Sequence, residues 1–376
     1  MRIPKTKSSI LYFLYTILPK VNAGFERNPL IGEEIVVLNF DSLGDNILFS
    51  AVIKSIRKSF PKARITLVVN ANNQELYLDC PEIDEVKALK NLKWLGEPLK
   101  DVLRKFRIYF WLLFRFKGKV SKIIGPSWLM FENQNEVLNN FFQKICPRDL
   151  ALFSEIDWKL VNSSHQVPRM VGISRIYGVK YTETHLSHWL KTKEVITTSK
   201  KKGKKIVVAL GAGHPRREYG TKNLVTLIQA INSIKEFKEI FIVGLSKNIF
   251  NYEDKVESLN LETSVNNLVD KLNLGDTLNL IQNSDLCISN DSGIAHLAST
   301  VKRPTLVISS HAKNMTPLHL HSPIRYHPWG TTYLVLQPQF ALTGCEQTCI
   351  ANIPHCIDQI PPSEILDAVR FMTHVN

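Results

Sequence analysis

The chain reads as an α/β protein built from two Rossmann-like halves, and three stretches predict it. Residues 34–69 run from an apolar strand through a polar turn and a helix to a second strand, and residues 284–308 repeat that order. Residues 205–213 give another apolar strand that ends in a glycine turn. At 376 residues the chain exceeds one ordinary core, so two domains are expected.

The first unit begins with the strand at 34–40, which enters Asp41-Ser42-Leu43-Gly44-Asp45. In the helix that follows, Leu48, Ala51, Val52, Ile56 and Phe60 share one face, while Lys54, Arg57 and Lys58 take the other. Pro61 ends it, and residues 64–69 form the next strand. The polar turn therefore lies at a strand's carboxyl end, where open α/β sheets bind ligands. Asp45 is a helix cap or a chemical group, and Asp41 competes with it for the second role.

Residues 98–119 are aromatic and basic together and read as a buried strand with basic ends or as a surface helix on anionic lipid. The lysine-rich run 191–205 marks a linker between an N-terminal domain (1–190) and a C-terminal domain (206–360). Residues 237–244 add another buried strand. The turn Gly211-Ala212-Gly213 is no dinucleotide fingerprint, because Arg216 stands where the third glycine belongs. Residues 361–376 form a Ser-capped amphipathic helix that is expected to pack back on the N-terminal domain.

In the run 284–308 Ile294, Leu297, Ala298 and Val301 recur at helical spacing, and Asp291 and Ser292 stand where N-terminal caps are needed. The backbone amides from Ser292 and Gly293 onward then form an anion site, and Gly293 admits a phosphate close to the backbone. The same pattern also suits an ordinary βαβ unit whose Asp merely caps a helix.

Composition narrows the partners. A 44% hydrophobic and 22% charged content excludes large-scale disorder. The formal net charge of +13 favours a polyanionic partner: nucleic acid, acidic lipid or an anionic substrate. Six cysteines are too few for a disulfide framework at this length, which fits a reducing cytosol, and Cys287 reads as a core residue. The apolar run 10–18 is too short to cross a bilayer and reads as a membrane-surface segment within residues 1–30, simple packing, or a signal-peptide core. Cys345, Cys349 and Cys356, with His355 beside the last, lack the tight CxxC pair of a zinc site. They read as structural, with no metal expected.

The run Asn290-Asp291-Ser292-Gly293, His296-Leu297-Ala298 and Pro304 resembles the signature of glycosyltransferase family 9, the lipopolysaccharide core heptosyltransferases. The Ser-Leu-Gly-Asp turn at 42–45 resembles the same family's first motif, and Leu274-Gly275-Asp276-Thr277-Leu278 its lead-in to the second. Two places depart from the pattern. Arg217-Glu218-Tyr219-Gly220 replaces a Lys-Arg-Trp-Pro segment, and Ser309-Ser310-His311 replaces a Gly-Pro-Thr. The resemblance implies the GT-B fold, two Rossmann-like domains facing across a cleft. It implies an inverting, metal-independent transferase that moves heptose from a nucleotide donor, ADP-heptose, to the inner core of lipopolysaccharide. It makes Asp45 the catalytic base, with Ser42 and Gly44 on the acceptor side. Gly211, Gly213, Arg217, Asp291, Ser292, Gly293 and His296 fall to the donor. No cofactor is called for beyond the nucleotide-sugar substrate. A cytoplasmic place, peripheral on the inner membrane face, follows from an anionic acceptor at a membrane; no nucleic acid is expected. The rival readings are a GT-B transferase for another nucleotide sugar, a nucleotide-sugar epimerase and, on charge alone, a nucleic-acid-binding protein.

Overall fold

The computed structural model describes residues 34–89, 122–124, 165–175, 178–192, 203–254, 265–317, 319, 321–347 and 349–374. The apolar run at 10–18, the aromatic stretch 98–119 and most of the linker at 191–205 lie outside them. The chain divides into two compact units. One comprises Met1–Ser42, Ala51–Asp157 and Met170–Thr184; the other comprises Leu43–Ser50, Trp158–Arg169 and His185–Asn376.

The first unit holds a parallel sheet of β1 (Glu34–Asn39), β2 (Arg64–Asn70), β3 (Glu85–Leu89) and β4 (Lys122–Ile124), in the order β3-β2-β1-β4. β1 lies between two neighbours and is buried from Ile35 to Asn39, which is why it reads as an unbroken apolar run rather than an alternating one. The helix predicted after it is two pieces, α1 (Leu43–Leu48) and α2 (Ser50–Ser59). The chain passes from the second unit to the first between them. α2 buries Val52, Ile53 and Ile56, as its spacing requires. Ser55 and Ser59 accept hydrogen bonds from the backbone of Glu183 (2.9 Å) and Lys180 (2.9 Å). α3 (Gln166–Ser174) begins in the second unit and ends in the first.

The second unit carries a six-stranded parallel sheet ordered β10-β9-β8-β5-β6-β7. Its strands are β5 (Lys204–Ala209), β6 (Phe237–Val243), β7 (Val265–Asn267), β8 (Leu286–Asn290), β9 (Thr305–Ile308) and β10 (Tyr333–Leu336). The order runs outward in opposite senses from the β5–β8 pair, so the crossovers from these two strands leave toward opposite edges. Such a switch point is where α/β sheets leave a crevice at their carboxyl ends. The turns after β5 and β8 both lie there. Among the described residues its helices include α4 (Thr221–Asn232), α5 (Leu274–Gln282), α6 (Gly293–Thr300), α7 (Pro323–Tyr326) and α8 (Pro362–Thr373).

The core of this unit joins Ile206, Val208, Ile240, Ile242, Leu286, Ile288 and Leu306 of the sheet to one face of α4. That face is Leu224, Leu227, Ile228 and Ile231, at helical spacing. The C-terminal helix, expected on the N-terminal domain, packs instead inside the second unit. Ile365, Ala368 and Val369 of α8 belong to this same core. Nor is α8 Ser-capped: Pro361 occupies the cap position and offers no side-chain hydrogen bond. Full burial of each aliphatic side chain is worth about 1.5–3 kcal/mol, more than a cap supplies, so the apolar face decides where α8 sits. Among the described residues no helix is long and apolar enough to cross a membrane.

Candidate active site

The site grows from Asn290, the last residue of β8, whose side chain is buried. Its Oδ1 accepts from the Tyr219 backbone N–H (3.1 Å), and its Nδ2 donates to the Gly211 carbonyl (3.3 Å). One amide thus fastens both ends of the loop that follows β5. Gly211 has φ +83, and a Cβ there would meet the Asn248 carbonyl at 2.8 Å, so this turn needs a glycine. Within the loop His214 caps the 3-10 turn Pro215–Arg217, its Nδ1 accepting from the Arg216 N–H (3.4 Å). Glu218 is buried and accepts from the Phe250 N–H with both oxygens (3.1 and 3.0 Å). Tyr219, which stands where the resembled family has Trp, is buried and donates from its hydroxyl to the Ile360 carbonyl (2.6 Å).

This framework holds Arg217 with its guanidinium against Gly213 and 3.6 Å from Asp291 Oδ2. Burial pushes the Asp291 carboxyl up, Arg217 draws it down, and the charge of Asp45 pushes it up again. Asp291 and Ser292 were both expected to cap α6. Instead the Asp291 carboxylate pairs with Arg217. Ser292 takes the N-cap position without a side-chain cap, because its hydroxyl is engaged with that of Ser289 (3.0 Å). The first turn of α6 is therefore left for another acceptor.

The start of α1 packs on the start of α6. A Cβ at Gly44 would meet His296 Cδ2 at 2.8 Å and Gly293 Cα at 3.5 Å; one at Gly293 would meet Leu43 Cδ2 at 2.9 Å. Asp45, half-buried in the first turn of α1, is close enough to Asp291 and Arg325 for its charge to act on both. Asp41 is placed differently: it lies in the first unit, its carbonyl accepts from Asn73 Nδ2 (2.9 Å), and its charge acts on Tyr77. Of the residues singled out in the sequence, Gly44, Asp45, Gly211, Gly213, Arg217, Asp291, Ser292, Gly293 and His296 all belong to the second unit. Ser42 is exposed and belongs to the first.

Several neighbours were not legible in the sequence. Arg325 in the four-residue helix α7 is buried and donates from Nε to Gln166 Oε1 (2.9 Å). Burial draws its pKa down, and Tyr326 and Asp45 offset this. His165 accepts from the Val167 N–H at Nδ1 (3.1 Å), which leaves Nε2 to donate to the His327 carbonyl (2.9 Å), while its ring stacks on Trp329. No motif marks these residues, because chain segments far apart in sequence bring them together.

Buried imidazoles give the unit an acid-sensitive edge. Burial and then His327 hold His165 down at about 3 and His296 at about 4; burial and then Arg217 hold His321 at about 3, all from an ordinary 6.5. Once the pH falls below 6.5, the unfolded chain takes up these protons and the folded one does not. Stability is therefore present above 6.5 and is lost as the pH falls toward the folded-state values. Thermal melts should show a level Tm above pH 6.5 and a steady fall below it; a Tm unchanged down to about 4.5 would contradict these placements.

Elsewhere in the second unit, Cys345, Cys349 and Cys356 are buried side by side, and His355 turns its Nδ1 toward all three sulfurs. The linear spacing gave a weak match to a metal set, with no metal expected, whereas the fold gathers all four groups.

The family model of glycosyltransferase family 9 (heptosyltransferase) matches residues 141–330, half of the chain. Lipopolysaccharide heptosyltransferase 1 of Campylobacter coli is 26% identical over 300 residues, covering 73% of this chain and 83% of that one. The glycosyl transferase family 9 structure from Veillonella parvula aligns with TM-score 0.62 at 17% identity, over 91% of this chain and 97% of its own. E. coli heptosyltransferase WaaC with ADP aligns with TM-score 0.59 at 13% identity, over 90% and 99%. These structural likenesses place the fold in the GT-B class, consistent with its two parallel α/β sheets. The chain belongs to glycosyltransferase family 9, the heptosyltransferases.

Proposed function

We propose that this glycosyltransferase moves a heptose from ADP-heptose to a hydroxyl of the lipopolysaccharide inner core, with inversion at the anomeric carbon and no metal at the reacting centre. The observation that carries the reading is the packing of Gly44 on Gly293 and His296, which sets a carboxylate-bearing helix start beside an uncapped one. The acceptor oxygen attacks the anomeric carbon, the bond from that carbon to the diphosphate oxygen breaks, and the electron pair leaves with ADP. The acceptor's proton passes to Asp45, the only proton that must move. The charge of Asp45 acts on Arg325 and favours the guanidinium's charged form. The growing negative charge on the diphosphate is held by the α6 amides at Gly293 and Ile294 and by Arg217. Asp291 keeps Arg217 aimed at that place, and Gly211 and Gly213 allow the phosphates to approach the backbone.

The donor and acceptor assignments draw on the relatives, one named a lipopolysaccharide heptosyltransferase and one holding ADP. The net charge of +13 suits a phosphate-rich acceptor at the cytoplasmic face of a membrane. The test is release of nucleotide from ADP-, UDP- and GDP-sugars with and without truncated lipopolysaccharide. ADP release from ADP-heptose that requires the acceptor is expected. Conversion of a nucleotide sugar without acceptor would replace this reading with an epimerase. Salt-sensitive RNA binding that survives Asp45→Ala, with no transfer, would replace it with nucleic-acid binding. Arg217→Ala should weaken ADP binding roughly tenfold to a hundredfold, the range for a hydrogen bond to a charged group. Arg217→Lys should recover part of that loss as a point charge without the planar fork. An ADP Kd unchanged in Arg217→Ala, measured by calorimetry, would remove Arg217 from the phosphate site.

A further inference from the structure

The segment between β10 and α8 crosses from Leu336 to Pro362 with a single 3-10 turn, Cys356–Gln359, as regular structure among its described residues. A stretch that long without regular structure needs its own fastening or a function. Its end joins the main core through Ile357 and Ile360, while Cys345, Cys349 and Cys356 form a separate satellite cluster against which, among the described residues, Ala341, Leu342 and Ala351 pack. What the segment does have is a ligand shell. His355 Nδ1 lies 3.6 Å from Cys345 Sγ, 3.7 Å from Cys349 Sγ and 3.5 Å from Cys356 Sγ, and all four atoms fall within 4.8 Å of one another. A tetrahedral ion with metal–sulfur bonds of about 2.3 Å and a metal–nitrogen bond of about 2.0–2.1 Å has sulfur–nitrogen edges of about 3.5 Å. The observed edges match that figure. Three thiols also cannot all be joined in disulfides among themselves, and none is.

We propose that Cys345, Cys349, His355 and Cys356 bind one tetrahedral, thiolate-ligated transition-metal ion, and that this ion braces the donor loop from outside the active site. The ligand set is closed: three thiolates and an imidazole fill four positions and leave none for substrate, so the role is structural. Three sulfurs and one nitrogen select zinc or iron over the hard, oxygen-seeking ions. The link to the donor loop is short. Asp358, two residues beyond Cys356, accepts from the Gly220 N–H with Oδ1 (2.7 Å), and its carbonyl accepts from Asn223 Nδ2 (3.1 Å). Two residues further, the Ile360 carbonyl takes the Tyr219 hydroxyl. Residues 219–223 are thus tied to the metal-bound turn on one side and, through Tyr219 N–H and Asn290, to β8 on the other. Arg217 lies two residues before that anchor.

The first half of the proposal is tested by metal content and does not depend on the donor reading; the second half rests on it. The full-length chain, purified without added metal, should carry about one zinc or iron per molecule by elemental analysis, the stoichiometry a closed four-ligand site requires. Cys349→Ser and His355→Asn should each lose it. Replacement by cobalt should give the intense near-ultraviolet thiolate-to-metal bands and the visible bands of a tetrahedral site. Absence of stoichiometric metal from the wild-type chain, or its retention in both variants, would overturn the site, whether or not the variants fold well. For the brace, chelation should lower Tm and weaken ADP binding several-fold. Asp358→Ala should retain the metal and weaken ADP binding by a similar factor. If Asp358→Ala keeps both its metal and the wild-type ADP Kd, the ion stabilises the fold alone and the brace is overturned. If the wild-type chain binds its metal but no ADP, it is the donor reading that fails and not the metal site.

Discussion

Asp45→Asn should lower kcat for heptose transfer about 10²- to 10⁴-fold, the range for removal of a general base, while leaving ADP affinity near the wild-type value. The amide has the shape of the carboxylate, so α1 keeps its packing on α6, but it takes no proton from the acceptor hydroxyl. Two secondary effects follow from the charges around it. Asp291, pushed up partly by Asp45, should ionise more readily in the variant, and Arg325 loses a neighbouring anion that favours its charge. The acidic limb of the wild-type pH–rate profile should vanish with the base, which a purely structural role for Asp45 would not bring about. Asp41→Asn is the control. Its carbonyl is fixed by Asn73 and its charge acts on Tyr77 in the first unit, so the variant should retain most activity. Single-turnover rates of the two variants decide the matter. If Asp41→Asn proves the slower, or Asp45→Asn keeps more than about a tenth of the rate, the base has been misassigned.

How much of this was readable before the fold was known depends on the range of the interaction concerned. β1, β5, β8 and β9 were legible because buried parallel strands are continuous apolar runs, and α2, α6 and α8 because one face repeats at helical spacing. The two polar turns were legible because they follow those strands directly. The failures are all tertiary. Ser292 is a preferred cap residue, yet Ser289 on the preceding strand claims its hydroxyl. α8 has the pattern of any amphipathic helix, and its pattern does not say which sheet it covers. Asn290 belongs to the recognised motif, but its hold on Gly211 and Tyr219 joins positions 79 and 71 residues away. Arg325 sits in a short helix whose sequence carries no functional signal. The cysteine cluster was discounted on linear spacing, and only the folding-back of residues 340–356 brings its four ligand atoms to common distances.

Gly293→Val should abolish measurable donor binding and lower stability by about 1–3 kcal/mol, the usual cost of overpacking. Both effects come from one position. A Cβ there would lie 2.9 Å from Leu43 Cδ2 and Cγ and 3.1 Å from Leu43 Cβ, so even the first added carbon requires α1 to move. Valine adds two methyls beyond it, so the shift it forces falls at the residue that opens α6, where the proposed phosphate-holding amides start. Gly44→Ala separates the two consequences. Its Cβ would press on the buried His296 ring at 2.8 Å but only touch Gly293 Cα at 3.5 Å. α1 should therefore shift with Asp45 on it while the α6 amides stay in place. The expected signature is a lowered kcat with a nearly unchanged ADP Kd in Gly44→Ala, against loss of ADP binding in Gly293→Val. Calorimetry on variants whose circular dichroism matches the wild type separates this from simple unfolding. Should Gly293→Val fold and bind ADP as the wild type does, the phosphates lie elsewhere. The packing of Gly44 on Gly293 would then serve the fold and not the chemistry.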